Sequence, residues 1–133
     1  MREILDKVSA QQAQARPLAN ADSIWELVVH VEAWVKLAGG ALQGTPIPAW
    51  STMTKEQDWP SVGDTGEQAW EEAVTTFFAS HLRLVEAIKA CSDDRLEATV
   101  PGRTYNFYHL FQSMIQHAVY HAGQIALLKK ALL

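Results

Sequence analysis

The chain has 133 residues, 48% of them hydrophobic and 20% charged, with a formal net charge of −4; this is the length and balance of one soluble globular domain with a real core, and residues 1–133 are read as one helical domain. No Lys/Arg cluster is present to neutralise phosphates, which speaks against nucleic-acid binding, and no apolar run is long enough to span a bilayer. The leading segment lacks the apolar centre of a secretory signal, and a single cysteine, Cys91, excludes an intrachain disulfide, so a cytoplasmic location is expected.

The periodicity is helical nearly throughout, and no alternating strand pattern stands out. "REILDKVSAQQAQA" reads as one or two short helical pieces ended by Pro17. "NADSIWELVVHVEAWVKLAGGALQG" reads as a long helix with Asp22 or Ser23 as N-cap and Glu26 in its first turn. Gly39 and Gly40 are expected to weaken its far end. "TPIPAWSTMTKEQDWPSVGDTG" holds three prolines and two glycines and reads as a loop. It is long for a compact domain, and its Trp50 and Trp59 suit either a functional cover or simple plugs at the bundle edge. "EQAWEEAVTTFFASHLRLVEAIKACS" is a second long helix, and "DDRLEATVPGRT" a connection. "YNFYHLFQSMIQHAVYHAGQIALLKKALL" is a third long helix, with lysines near its end as the helix dipole prefers. The expected fold is all-α: an up-down four-helix bundle with a shortened first helix, in which the long loop either joins neighbours or crosses over the bundle.

Stepping by three and four along the last helix gives one stripe through Phe107, Leu110, Met114, His117, His121, Ile125 and Leu128. Two imidazoles sit in the middle of that apolar row. In the first long helix the stripe is Leu27, His30, Val31, Trp34, Ala38 and Ala41, with His30 inside it. Burying imidazoles is costly unless their nitrogens find partners. A pair spaced i, i+4 presents both rings on one face, which suits one metal ion, and His30 would complete a three-histidine set. Nitrogen ligands of this kind suit zinc, nickel, iron or copper, and three protein ligands leave positions open as catalytic sites do. The competing reading keeps the same histidines as core polar residues bonded to carbonyls or carboxylates.

Other residues draw lesser expectations. His81 shares a face with Trp70, Val74, Phe77 and Leu84; it is read as a bundle-edge residue, with a fourth ligand or an orienting group as alternatives. His109 is placed off the stripe, at the surface or between helices. Glu26 lies one turn before His30 and Gln124 one turn after the pair, so either is a candidate to hold a ligand imidazole; both suit plain helix roles as well. Gly123 calls for compensation such as a close helix packing at that point. Tyr105, Tyr108 and Tyr120 suit a cavity wall or a core edge. Cys91 is read as structural.

"SIWELVVHVEAW", "DWP" and "VPGRTYNFYHLFQSMIQHAVYHAGQIALLKKA" resemble the DinB-like superfamily of metal-dependent bundle proteins. The most specific part is the histidine of "SIWELVVH" combined with "HxxxHxGQI" near the C-terminus, and the resemblance extends from about Ile4 onward. It implies a four-helix bundle whose three histidines bind a divalent metal, nickel or zinc. The pattern falls here on His30, His117 and His121. It also implies a homodimer and a small-molecule substrate, and, from some relatives, a thiol-dependent transferase using a low-molecular-weight thiol such as bacillithiol or mycothiol. Two departures stand out. Relatives carry a full first helix, whereas this chain begins near its end, so the helix is either short or continued upstream. Relatives often have Asp after the first histidine of the pair, where this chain has Ala118. The functional readings are therefore a metal-dependent transferase or hydrolase, a metal-binding protein without turnover, or a purely structural helical dimer.

Overall fold

The computed structural model describes all 133 residues. Seven helices appear in order: α1 (Arg2–Leu5), α2 (Ala10–Gln14), α3 (Ile24–Leu42), α4 (Lys55–Asp58), α5 (Glu67–Lys89), α6 (Asp93–Glu97) and α7 (Phe107–Ala131). The three long ones are those the periodicity predicts, and the leading segment is two short pieces. Two further short helices, α4 and α6, lie in stretches read as loop and connection. None of the helices is long and apolar enough to cross a membrane.

Local chemistry sets the helix starts. Ser23 Oγ accepts from the Glu26 N–H at 3.2 Å, and Glu26 Oε2 accepts from the Ser23 N–H at 2.7 Å, a reciprocal cap that begins α3. Ser9 with Gln12 and Thr54 with Gln57 repeat that box on α2 and α4. Asn106 Oδ1 accepts from the His109 N–H at 2.9 Å and begins α7. The Gly39–Gly40 pair does not end α3, which continues to Leu42 because its apolar face stays packed through Ala38 and Ala41.

Helix α3 is the central element and packs along both α5 and α7, which scarcely touch each other. Trp25 meets Trp70 with ring centroids 5.1 Å apart, and Ser80 Oγ donates to the buried Glu32 at 3.2 Å. Contacts thus advance together along α3 and α5, so the two run parallel. Helix α7 runs antiparallel to them: its middle meets His30, and its end reaches α1 through Lys129 Nζ to the Asp6 carbonyl at 2.6 Å. The expected all-α bundle is present, and its chain direction follows the crossover alternative. A tight turn would force α3 and α5 antiparallel; the long connection at 43–66 lets the chain return before α5 begins. That return lays α4 against α3.

The core divides into two apolar clusters. One is formed by α1 and α2 with Ile24, Trp25, Val28, Trp70, Phe77, Ile125 and Leu128. The other gathers Trp34, Ala38, Ile47, Leu84, Val100, Phe107 and Leu110 at the opposite end. His30, His117 and His121 lie between them. Ile125, fully buried one turn after His121, anchors the second half of α7. Ile125→Ala is expected to lower stability by roughly 2–5 kcal/mol in urea unfolding, whereas Leu127→Ala, on the exposed face of the same helix, should stay within about 0.5 kcal/mol.

Candidate metal centre

The packing of α3 against α7 brings the three predicted histidines together. His117 Nε2 lies 2.9 Å from His30 Nε2 and 3.1 Å from His121 Nε2. All three ligand atoms fall within 4.8 Å of one another. Bonds of about 2.0–2.1 Å to a single ion would hold neighbouring nitrogens about 3.0–3.4 Å apart, so the spacing is compatible with one ion at their centre.

The partners on the far side of each ring fix the tautomers. His30 Nδ1 is 2.5 Å from the Asp58 carbonyl oxygen, which only accepts, so Nδ1 carries the hydrogen and Nε2 presents a bare lone pair. His121 Nδ1 is 2.6 Å from Gln124 Oε1, and the same logic leaves its Nε2 bare. His117 Nδ1 is buried without a partner. Three nitrogens therefore face one another, two of them without a proton to donate, and neutral His117 can offer at most one. A shared cation satisfies all three; hydrogen bonds among them do not.

Electrostatics points the same way. Burial pushes the His117 imidazole down from 6.5 to about 4, helped by His121 and His30 and opposed by Asp58. Burial also lowers His121 on balance, although its bond to Gln124 acts in the other direction. Both rings stay neutral near pH 7, the form that binds metals.

A cavity of about 550 Å³ opens onto the histidines. Trp34, Trp50, Trp59, Tyr105, Tyr120 and Met114 form much of its wall. Trp59 stacks on His30 with centroids 3.8 Å apart and planes 7° from parallel. The Trp34 Nε1–H donates to Asp58 Oδ1 at 2.8 Å, which holds the residue whose carbonyl orients His30. The tryptophans of the long loop are thus part of the site rather than plugs at the bundle edge.

Several sequence expectations are redistributed. Glu26 does not orient His30: its carboxylate closes the α3 cap and pairs with Arg16. Burial raises the Glu26 carboxyl, but the Ser23 bonds and the Arg16 charge outweigh that and bring it below its usual value. Asp58 takes the orienting role. Gln124 does bond His121, as one reading of it held. His81 turns away to the Phe77 carbonyl at 2.8 Å and is not part of the cluster. His109 is exposed but lines the cavity mouth beside Tyr105; its place in the series His109, Ser113, His117, His121, each four residues apart, was the signal for it. Tyr108 faces a different groove, and nothing packs closely at Gly123.

The family model of the DinB superfamily matches residues 1–125. No curated protein and no solved structure matches the chain.

Because His117 and His121 have lowered values in the folded chain, the unfolded chain takes up their protons first as the pH falls. Their contribution to metal-free stability is complete above pH 6.5, the ordinary histidine value, and for His117 is lost down to about 4. Thermal unfolding of metal-free protein should show a lower Tm at pH 5 than at pH 7, with a smaller drop in His117→Gln. An equal drop in both proteins would contradict the assignment.

Proposed function

The chain belongs to the DinB superfamily, and on that premise we propose that His30, His117 and His121 hold one divalent metal ion, nickel or zinc, and that the protein is a thiol-dependent transferase. The observation that carries the metal reading is the meeting of three Nε2 atoms at 2.9 and 3.1 Å when two of them have their only hydrogen committed on the opposite nitrogen. When bound, the ion supplies a Lewis acid that makes a thiol, or in the hydrolase version a water, nucleophilic at neutral pH. The chain's own residues do the rest. Asp58 and Gln124 hold two imidazoles in their ligating tautomers. Trp34, Trp59 and Tyr120 wall the cavity. Asp58 is the one carboxylate in that wall and is engaged by Trp34, which leaves the interior free of competing anionic ligands.

The test is a transfer assay. Metal-loaded protein, a low-molecular-weight thiol and 1-chloro-2,4-dinitrobenzene should give a thiol-dependent rate well above background, lost by roughly 100-fold or more in His117→Leu. A fully loaded protein that accelerates no thiol, and no ester hydrolysis either, would be a metal-binding protein without turnover.

The proposal includes a homodimer. Helices α5 and α7 leave between them a groove lined by Val31, Leu84, Ile88, Phe111, Ile115 and their neighbours, with no charged residue in it. Helix α1 lies against both helices at the other end, with Arg2 over Phe78 and Asp6 on Lys129. An uncharged apolar face of this kind complements its own copy across a two-fold axis. Light scattering should give twice the chain mass, and Ile115→Lys should give a folded monomer. A wild-type monomer at tens of micromolar would remove the dimer.

A further inference from the structure

The cavity that opens onto the histidines has no lysine or arginine in its lining, and Asp58 is its one carboxylate. An anionic group lying along this wall would give up water with no cationic side chain to replace it, beside a charge of its own sign. A cationic ligand fares no better. Asp58 Oδ1 already accepts from the Trp34 Nε1–H at 2.8 Å and lies 3.5 Å from His30 Nδ1. The ring of Trp50 already carries a cation, because Arg103 sits over it, 5.3 Å from its centroid.

Arg103 lies outside the cavity, and its Nε and Nη2 are buried without a hydrogen-bond partner. The turn between α6 and α7 sets it there. Gly102 has φ +78°, and a Cβ at that point would collide with the Ile47 carbonyl oxygen, so only glycine lets the turn press this closely on the 43–66 connection. A second cation brought to the same indole would meet the charge of the first.

What the wall does offer is flat apolar surface. Trp34 and Trp50 lie with centroids 5.4 Å apart and planes at 41°, and Trp59, Tyr105 and Tyr120 continue the surface. Three of the chain's five tryptophans thus line one cavity. Two of its rings stand in solvent instead of in the core: Trp50 is 69% exposed and Tyr120 65%. Single exposed rings need no explanation, but two beside one cavity form a binding surface. On α7, His109 and Ser113 are exposed members of the same lining, one turn apart, and supply its polar edge.

We propose that this cavity selects an uncharged aromatic molecule, with its ring against Trp50 and Trp34 and a hydrogen-bonding substituent turned toward His109 and Ser113. The inference deepens the transferase reading, on which it rests for calling this molecule the electrophile. The binding preference itself requires neither metal nor thiol.

The test uses metal-free protein, so that no probe can bind an ion, slightly above neutral pH, where ordinary imidazoles carry no charge. Tryptophan fluorescence is titrated with 4-phenylbutyramide, with the matching acid 4-phenylbutyrate, with the matching amine 4-phenylbutylamine, and with 4-cyclohexylbutyramide, which is uncharged but not flat. Wild type should bind the aromatic amide about threefold or more tighter than either ion, and no more weakly than the cyclohexyl amide. Trp50→Ala, at an exposed position, should weaken the aromatic amide by about three- to tenfold, the scale of one aromatic contact. Ser113→Lys puts a cation into the lining and should turn the preference toward the acid. The proposal is overturned by a wild type that binds either ion or the cyclohexyl amide more tightly than the aromatic amide, by an unchanged affinity in Trp50→Ala, or by a Ser113→Lys protein that gains nothing for the acid. Metal-loaded protein that shows this preference but transfers no thiol would remove the transferase reading alone, and active protein without the preference would remove this proposal alone.

Discussion

His117 Nε2 lies within hydrogen-bond distance of the Nε2 atoms of both His30 and His121, and those two have no hydrogen to give. That constraint organises the middle of the bundle. His30 is held by a carbonyl on α4, and His121 by an amide one turn along its own helix. Each partner accepts, and so each turns a bare nitrogen inward. Without a cation the arrangement costs stability, because three polar atoms occupy positions where an apolar core would have leucines. The apolar clusters on either side offset that cost, with Ile24, Val28 and Ile125 below the histidines and Ala38, Phe107 and Leu110 above.

The crossover connection is the second half of the same design. A short turn between α3 and α5 would have placed no element over His30. The long return brings Asp58 and Trp59 onto it, so one loop supplies the orienting oxygen, the stacking ring and two of the tryptophans in the cavity wall. The same loop meets the α6–α7 turn at Ile47 and Gly102, which places Trp50 beside Arg103. The site is therefore assembled from α3, α7 and two connections, with the long helices setting the histidines and the connections setting what surrounds them.

Much of this was legible from helical spacing. The stripes on α3 and α7 select His30, His117 and His121, because side chains that face a core must follow the core's period. The bundle and its long helices followed from the same signal. What spacing does not carry is an oxygen that belongs to the backbone: any residue at position 58 has a carbonyl, so the partner of His30 had no sequence signature. Glu26 drew attention instead because it stands one turn from His30, but its carboxylate is consumed by the α3 cap and by Arg16. His109 is exposed, as its place off the apolar stripe implies, and its position two turns before His117 on the same i, i+4 row also sets it in the cavity lining. The unpaired Arg103 arises from the docking of two connections distant in sequence, which no local pattern reports.

The most direct test of the central claim is metal content, measured by mass spectrometry on protein purified without an affinity tag or added metal. Wild type is compared with His30→Ala and His121→Ala, each checked for intact helical circular dichroism. The three-histidine account predicts close to one nickel or zinc per chain in wild type and almost none in either variant. It would be contradicted by a wild type that stays metal-free after soaking with Zn²⁺ and Ni²⁺, or by variants that keep a stoichiometric ion.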